Sequence, residues 1–252
     1  MTEERNLNGR KAIVTGGSQG LGHAIAERLA RSGAAITVVD LPTKADHLPA
    51  DWEVAAIDLA SETAQDDLKS LADRLGMVDV VVANAGVVPP WRNFDELDAK
   101  EWRHVMAVNV WGVAATIGAF TASLEMSGHG SAIVMASLNG YRAHPKQALY
   151  TASKHAVIGL MRAAALDLGP RGIRVNALAP GPVATEALVA RVRKRHRSGG
   201  PDPDAALAAY AAETALGKLV TVEDVANVAY FLASNESAGI TGAVFPVEAG
   251  LA

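Results

Sequence analysis

Short apolar runs alternate with longer amphipathic segments along the chain. Strand-like runs rich in β-branched residues occur at Lys11–Thr15, Ala35–Asp40, Glu53–Ile57, Val78–Ala83, Ser131–Ala136 and Arg174–Leu178. The runs are apolar throughout instead of alternating, which is typical of strands buried on both faces. We therefore expect a sheet that is covered by helices on each side.

Helical spacing fills the intervals between the strand-like runs. It is clearest at Leu21–Arg31, Lys100–Met126 and Ala148–Leu168. Strands and helices in alternation indicate βαβ units and a doubly wound parallel sheet of the α/β class. We predict one domain over residues 1–252, with right-handed crossovers.

One segment has a different character. Arg191–Arg197 is strongly basic, residues 198–203 form a Gly- and Pro-containing break, and Asp204–Leu216 is an alanine-rich helical stretch. The segment is too short to hold a core of its own. We predict a small helical lid at about 186–216, over the carboxyl edge of the sheet where α/β proteins bind ligands. A solvated face or a subunit contact accounts for the basic run better than a carrier-bound substrate does.

Composition narrows the class of protein. Of the 252 residues, 50% are hydrophobic and 20% are charged, and the net charge of -4 gives no basic excess for binding nucleic acid. The polar start and the lack of a long uninterrupted apolar run predict no signal peptide and no membrane span. The absence of cysteine excludes disulfides and thiolate metal sites. We expect a cytoplasmic protein without a metal.

A glycine cluster follows the first strand. Thr15-Gly16-Gly17-Ser18-Gln19-Gly20-Leu21-Gly22 lies between an apolar run and a helix. Glycines allow a tight turn and close approach of backbone N–H groups, and the helix N-terminus favours a phosphate. This context indicates a dinucleotide cradle, whereas a glycine cluster alone would not.

Asp40 ends the second strand-like run, at the distance expected of a carboxylate that binds ribose. A carboxylate there accepts hydrogen bonds from the ribose hydroxyls and repels a 2′-phosphate. No Lys or Arg occupies the glycine loop or directly follows Asp40. We therefore predict NAD as the cofactor in preference to NADP.

Further motifs follow in a fixed order along nearly the whole chain. They are Thr15, Gly16, Gly20 and Gly22; Asp58-Leu59; Asn84-Ala85-Gly86; Asn109; Ser137; Tyr150 and Lys154; and Pro180, Gly181 and Thr185. In this set the sequence resembles the classical short-chain dehydrogenase/reductase family. The resemblance implies a Rossmann-type fold and an NAD(H)-dependent oxidoreductase that interconverts a secondary alcohol and a ketone.

The resemblance also implies which residues bind the cofactor and carry the reaction. The expected cofactor-binding residues are Gly16, Ser18, Gln19, Gly20, Leu21, Gly22, Asp40, Asp58, Leu59, Asn84, Ala85, Gly86, Tyr150, Lys154, Pro180, Gly181, Val183 and Thr185. Tyr150 would exchange the hydroxyl proton and Ser137 would polarise the carbonyl. Lys154 would hold the ribose, and Asn109 would hold a water that relays protons.

The Tyr150–Lys154 spacing carries a chemical argument of its own. Residues four apart on a helix share a face, and an ammonium close to a phenol favours the phenolate. We therefore expect Lys154 to lower the pKa of Tyr150 toward the range useful for general acid/base catalysis.

The substrate pocket is expected between the loop after the fourth strand, the stretch after Ser137 and the lid. Pro90, Trp91 and Leu138 offer apolar walls, and His144 is a candidate for contact with substrate. We predict a small to medium, moderately apolar substrate. Two departures from the family pattern, Ala136 before the serine and Val247-Glu248-Ala249-Gly250 near the end, should leave the chemistry intact.

Both long helices carry small apolar residues on more than one face, which predicts a homo-oligomer. The resemblance implies a tetramer. Two alternatives to the enzyme stay open: a regulator that senses NAD(H) without turnover, and a non-redox enzyme on the same scaffold, such as a halohydrin dehalogenase. Each is disfavoured, because the glycine cradle and the Ser137, Tyr150, Lys154 and Asn109 set are intact.

Overall fold

Seven parallel strands form one twisted sheet in the computed structural model, which describes residues 6–42, 48–197 and 199–251. The strands are β1 (Lys11–Thr15), β2 (Ala35–Asp40), β3 (Glu53–Ala56), β4 (Val80–Ala83), β5 (Ser131–Met135), β6 (Arg174–Pro180) and β7 (Val244–Val247). Their order is β3-β2-β1-β4-β5-β6-β7, with every neighbouring pair parallel. The predicted doubly wound parallel sheet is confirmed.

Burial along the strands follows their place in the sheet. Every residue of β4 and β5 is buried, as the continuous apolar runs predicted. The edge strands β3 and β7 are only partly covered. The sequence analysis did not identify β7, which is short and contains Pro246; a proline is tolerated there because an edge strand has a free side.

The described part of the chain contains eight α-helices. They are α1 (Gly20–Arg31), α2 (Ala64–Leu75), α3 (Ala99–Met106), α4 (Gly112–Ser127), α5 (Ala148–Leu168), α6 (Glu186–Arg197), α7 (Pro203–Ala212) and α8 (Val222–Ala233). One core cluster packs α2, α4 and α5 on the sheet and includes Phe120 and Met161. The other packs α1 and α8 on the opposite face and includes Leu29 and Leu232. The sequence analysis did not list α2 and α8.

The predicted helix Lys100–Met126 is a continuous helical stretch, Ala99–Ser127, interrupted by a π-helical turn at Ala107–Trp111. By length and composition it could cross a membrane, contrary to the expectation from sequence. Phe120 and Leu124 are fully buried in the first core cluster, however. A core helix of this kind passes the same test of length and composition.

The lid contains α6 and α7, and part of the predicted break lies outside the described residues. The predicted helix Asp204–Leu216 ends earlier, at Ala212, because the backbone then turns to pair with the last described residues. The N–H of Ala215 donates to the Gly250 carbonyl (2.8 Å) and that of Leu216 to the Ala249 carbonyl (3.1 Å).

The two ends of the lid meet at its base. Val183 and Val220 form an isolated parallel bridge, and the N–H of Ala184 donates to the Val220 carbonyl at 3.1 Å. Both valines are buried in the second core cluster. The lid is therefore an excursion of the chain that leaves and rejoins the body at one place.

Candidate active site

The predicted site residues gather at the carboxyl edge of the sheet. The strand order reverses between β1 and β4, so the loops that follow these two strands run in opposite directions and leave a crevice. Ligands of open α/β sheets bind at such a switch point. The glycine loop follows β1, and the Asn84-Ala85-Gly86 segment follows β4.

The glycine loop is shaped by contacts that only glycine permits. Gly16 has a φ of +64° and its N–H donates to the Val39 carbonyl at 2.7 Å. A Cβ on Gly22 would lie 2.1 Å from the Gly16 carbonyl oxygen and 2.5 Å from Nδ2 of Asn84. The first turn of α1 therefore packs directly on the loop, as close helix–loop packing in such cradles requires.

The start of α1 suits a phosphate group. Gln19 makes no side-chain cap hydrogen bond, and the first turn, which includes Gly20, Leu21 and Gly22, contains no acidic residue. By contrast, Asp98 and Thr221 cap α3 and α8 with their side chains. The first-turn donors and the positive end of the α1 dipole therefore fit the pyrophosphate of a dinucleotide.

Asp40 lies at the end of β2 beside this loop. Its two carboxylate oxygens accept hydrogen bonds from the backbone N–H groups of Ser18 (3.0 Å) and Leu41 (2.8 Å). These contacts fix the carboxylate while leaving further lone pairs for ribose hydroxyls. Beyond β3, Asp58 is exposed, with Oδ1 accepting from the N–H of Ala60 at 2.9 Å, and Leu59 is buried in the first core cluster.

Asn84 and Thr15 bind the two loops together. The Thr15 hydroxyl oxygen accepts hydrogen bonds from the N–H groups of Asn84 and Ala85, each at 3.0 Å. Nδ2 of Asn84 donates back to the Thr15 carbonyl (2.9 Å) and the Gly16 carbonyl (3.1 Å). The crevice is thus held open by a reciprocal network between the ends of β1 and β4.

Asn109 lies in the π-helical turn and is fully buried. Its Oδ1 accepts from the Val87 N–H at 2.7 Å, and its Nδ2 donates to the Val87 carbonyl at 2.9 Å and to Oγ of Ser153 at 3.2 Å. The Ser153 hydroxyl in turn donates to the Tyr150 carbonyl at 2.8 Å. Ser153, which the sequence analysis missed, therefore connects the loop after β4 to the helix that carries Tyr150.

Lys154 is 4% exposed, and its Nζ donates to the Met135 carbonyl at 2.7 Å. Nζ lies 5.7 Å from the centre of the Tyr150 ring. Burial disfavours the charged amine and lowers the pKa of Lys154 to about 8. A Cβ on Gly86 would lie 3.3 Å from Oδ1 of Asn109 and 3.8 Å from Nζ of Lys154, so both polar groups face Gly86.

The pKa of Tyr150 is shifted in the direction opposite to the one expected from the sequence. Burial raises the pKa of its phenol above the ordinary value, while a hydrogen bond with Ser137 and the positive charge of Arg191 lower it. Lys154 is not among the causes, and its amine donates to Met135 instead. The expected lowering of the Tyr150 pKa by Lys154 is therefore wrong for the protein chain taken alone, because desolvation outweighs the charges around the phenol.

The loop after β6 completes the edge of the crevice. Pro180 ends the strand, and the N–H of Gly181 donates to the Val247 carbonyl at 3.0 Å. Val183 is buried at the base of the lid. The Thr185 hydroxyl oxygen accepts from the Leu188 N–H at 3.1 Å, which joins Thr185 to the start of α6.

A narrow cleft opens beside Tyr150, with a volume of about 10 Å³, the space of roughly one water molecule. Pro90 and Trp91 line it, as predicted. Leu138 and His144 are not among its walls: Leu138 is buried, and Nε2 of His144 is buried without a hydrogen-bond partner among the described residues.

Charged residues that the sequence analysis missed also line this cleft. Nε of Arg92 lies 2.9 Å from the Glu101 carboxylate. Lys146 lines the same cleft, and its backbone has a φ of +64°. The guanidinium of Arg195 on the lid lies 4.8 Å from the centre of the Trp91 ring. This cation–π contact brings α6 over the cleft.

Comparison with known proteins agrees with this geometry. The family model described as enoyl-(acyl carrier protein) reductase matches residues 16–252. The cis-4-hydroxycyclohexanecarboxylate dehydrogenase of Sinomonas cyclohexanicum is 34% identical over 96% of this chain and 96% of its own length. The chain belongs to the short-chain dehydrogenase/reductase family, as the motifs indicated.

Solved structures extend the comparison to the cofactor. Carveol dehydrogenase from Mycobacterium avium, in complex with NAD, superposes with a TM-score of 0.87 at 32% identity, over 97% of this chain and 98% of that one. A Beutenbergia cavernae protein with bound NADP, provisionally assigned as a gluconate 5-dehydrogenase, has a TM-score of 0.88 at 32% identity over 98% of both chains. The protein is an oxidoreductase of this family, and its cradle fits a nicotinamide dinucleotide.

The buried Lys154 makes stability depend on pH. Its folded pKa of about 8 lies below the ordinary 10.5, so the unfolded chain holds more protons between these values and stability rises as pH increases through this window. Below pH 8 the buried Lys154 is charged, and this lowers the free energy of unfolding by roughly 3 kcal/mol. A Lys154→Met variant should lose this rise in urea-unfolding curves recorded from pH 7 to 10.

The matched control is Lys100→Met, which removes an exposed lysine from α3. The free energy of unfolding of Lys100→Met should change with pH in the same way as that of the parent protein. Parallel stability profiles for the parent and Lys154→Met would contradict a lowered Lys154 pKa.

Proposed function

We propose that the protein is an NAD(H)-dependent dehydrogenase that interconverts a secondary alcohol and a ketone. The observation that carries this proposal is the grouping of Ser137 and Lys154 around Tyr150: Ser137 forms a hydrogen bond with Tyr150, Nζ of Lys154 lies 5.7 Å from its ring centre, and Tyr150 lines the cleft. A proton donor, a polar group for the substrate oxygen and a buried amine are the protein groups that this reaction needs. The bound nicotinamide ring supplies the hydride chemistry.

Tyr150 exchanges the proton of the substrate hydroxyl. Because burial keeps the pKa of its phenol high, Tyr150 is protonated at neutral pH and is ready to act as an acid when a ketone is reduced. In the opposite direction the phenolate must form first, so alcohol oxidation should become faster as pH rises. Ser137 donates to the substrate oxygen and stabilises the charge that develops there.

Lys154 and Asn109 support this exchange. The Lys154 amine, with a pKa of about 8, can gain or lose a proton near neutral pH, and it faces Gly86 at the inner end of the crevice. In the proposed relay, Lys154 holds the nicotinamide ribose and Asn109 positions a water that carries protons onward. Thr185 orients the carboxamide of the nicotinamide, at the point where the lid begins.

The substrate is proposed to be a cyclic or similarly compact secondary alcohol. The Pro90 and Trp91 walls are apolar, and the cleft is narrow. The names of two similar proteins, a carveol dehydrogenase and a cis-4-hydroxycyclohexanecarboxylate dehydrogenase, refer to ring alcohols. The cleft holds only about one water in this arrangement, so the proposal requires α6 to move outward when a substrate of this shape binds between these walls and Tyr150.

The first experiment follows NADH formation from NAD⁺ with four compounds. They are cyclohexanol, 4-hydroxycyclohexanecarboxylate, the primary amide of that acid, and the phosphate monoester of cyclohexane-1,4-diol. Tyr150→Phe should lower kcat by about 10²- to 10⁴-fold, the usual contribution of a general acid/base. Tyr230→Phe, which alters the ring that stacks under Arg28 on the opposite face of the sheet, is the matched control and should keep full activity.

An enoyl thioester with NADH completes the panel, because the matching family model is described as an enoyl reductase. Turnover of the thioester alone would overturn the alcohol assignment. NADH binding without turnover of any compound would favour a regulator that senses NAD(H).

Asp40 is proposed to select NAD over NADP. Its fixed carboxylate accepts from ribose hydroxyls and repels a 2′-phosphate. A hydrogen bond to a charged group contributes ~1.5–3 kcal/mol, so Asp40→Asn should lower kcat/KM for NAD⁺ about 10- to 100-fold and narrow the gap to NADP⁺. Asp51→Asn, at an exposed carboxylate before β3, should leave both values unchanged. An unaltered NAD⁺/NADP⁺ ratio in Asp40→Asn would refute the assignment.

We also propose that the chain forms a homo-oligomer through α4 and α5. Each helix leaves a face of small and apolar residues exposed, including Gly118 on α4 and Gly159 and Leu166 on α5. Exposed apolar surface of this extent favours association, and closed symmetry is its usual form. Light scattering should give a mass above the 26.1 kDa chain, and Leu166→Glu should reduce it. A monomeric mass for the parent protein would refute the proposal.

A further inference from the structure

Arg191 lies on the part of the lid that covers the active-site cleft. It is one helical turn before Arg195 on α6, and residues four apart share a face of a helix. Arg195 lies over the ring of Trp91, which lines the cleft beside Tyr150. The face of α6 that carries Arg191 therefore looks toward the reacting end of the cleft.

The guanidinium of Arg191 has no acidic partner. Its Nε donates to the Ala187 carbonyl of its own helix at 3.3 Å, and no described carboxylate forms an ion pair with it. Arg92, at the same cleft, is paired with Glu101. Arg191 is not itself a wall of the cleft, but its charge acts on Tyr150 and its further donors are available to an anion that extends from the cleft toward α6.

The surrounding charges add to this positive site. The only acidic residue of α6 is Glu186, in its first turn, whereas the second half of the helix is basic. Glu101 is engaged by Arg92, and the Glu248 carboxylate accepts a hydrogen bond from the Tyr141 hydroxyl. Glu101 and Glu248 are therefore both engaged, whereas Arg191 forms no ion pair with a described carboxylate.

We propose that the substrate carries a carboxylate and that Arg191 binds it, so that the enzyme acts on a hydroxy acid and its keto acid. This inference rests on the proposed alcohol–ketone activity and specifies its substrate class. The planar guanidinium donates two parallel hydrogen bonds to a carboxylate, which fixes both distance and orientation. Bound in this way, the acid group lies at the lid and the carbinol carbon lies at Tyr150.

A carboxylate fits the cleft better than a phosphate does. The adjoining walls, Pro90 and Trp91, are apolar, and placing a phosphate dianion against them costs more desolvation energy than placing a singly charged carboxylate there. Arg191 also has a second effect, because its positive charge lowers the pKa of the Tyr150 phenol. Substrate binding and proton transfer are thus connected through one side chain.

The test compares 4-hydroxycyclohexanecarboxylate with its primary amide in the parent protein, Arg191→Gln, Arg191→Lys and Arg193→Gln. The parent should prefer the acid by kcat/KM about 10-fold or more. With each variant compared at its own pH optimum, Arg191→Gln should lose about 10- to 100-fold for the acid with little change for the amide, and Arg191→Lys should lose less. Arg193→Gln, on the other face of α6, should behave as the parent does.

The pH dependence of the oxidation rate separates the proposed role of Arg191 from a general disturbance of the lid. Because Arg191 lowers the pKa of Tyr150, Arg191→Gln should move the rising limb of amide oxidation to higher pH, whereas Arg193→Gln should not. Equal turnover of acid and amide in the parent, or equal losses in the two glutamine variants, would overturn the proposal. Preference for the phosphate monoester would overturn it as well.

Binding calorimetry with cyclohexanecarboxylate distinguishes this inference from the proposed function. If no compound is turned over, the alcohol–ketone assignment fails. Carboxylate binding to the parent but not to Arg191→Gln would still support the anion site. Absence of binding to the parent would overturn it independently of activity.

Discussion

The hydrogen bonds between Thr15 and Asn84 fix the crevice on which the rest of the site depends. They join the ends of β1 and β4, the two neighbouring strands at which the strand order reverses. With the loops held there, α1 presents its first turn to one side and Gly86 leaves space for Asn109 and Lys154 on the other. The glycine loop and the Asn84-Ala85-Gly86 segment are therefore positioned against each other by one local network.

Burial favours the neutral form of two ionisable groups in the crevice, Tyr150 and Lys154. It raises the pKa of Tyr150 and lowers that of Lys154, so each group is driven toward its neutral form. For Tyr150 this effect is opposed by the hydrogen bond with the neutral Ser137 hydroxyl and by the positive charge of Arg191, both of which lower its pKa. Because Arg191 lies on the lid helix α6, the pKa of Tyr150 depends on the position of that helix.

Much of the fold and site could be predicted because the signals are local. The buried central strands and the Tyr150–Lys154 spacing are readable as patterns within a few residues. The edge strand β7 was not predicted because Pro246 breaks such a pattern. The end of α7 was misplaced because it depends on pairing with residues far along the chain. Ser153 and the direction of the Tyr150 pKa shift depend on packing, which no linear motif encodes.

The meeting of Val183 and Val220 has a consequence for how this enzyme can diversify. Since the segment between them leaves and returns at one bridge, its length and side chains can change at small entropic cost and without moving a strand. The sheet and the loops after β1 and β4 keep their geometry when this segment varies. The surface above the crevice can thus be remodelled by exchanging one stretch of chain, with the sheet inherited unchanged.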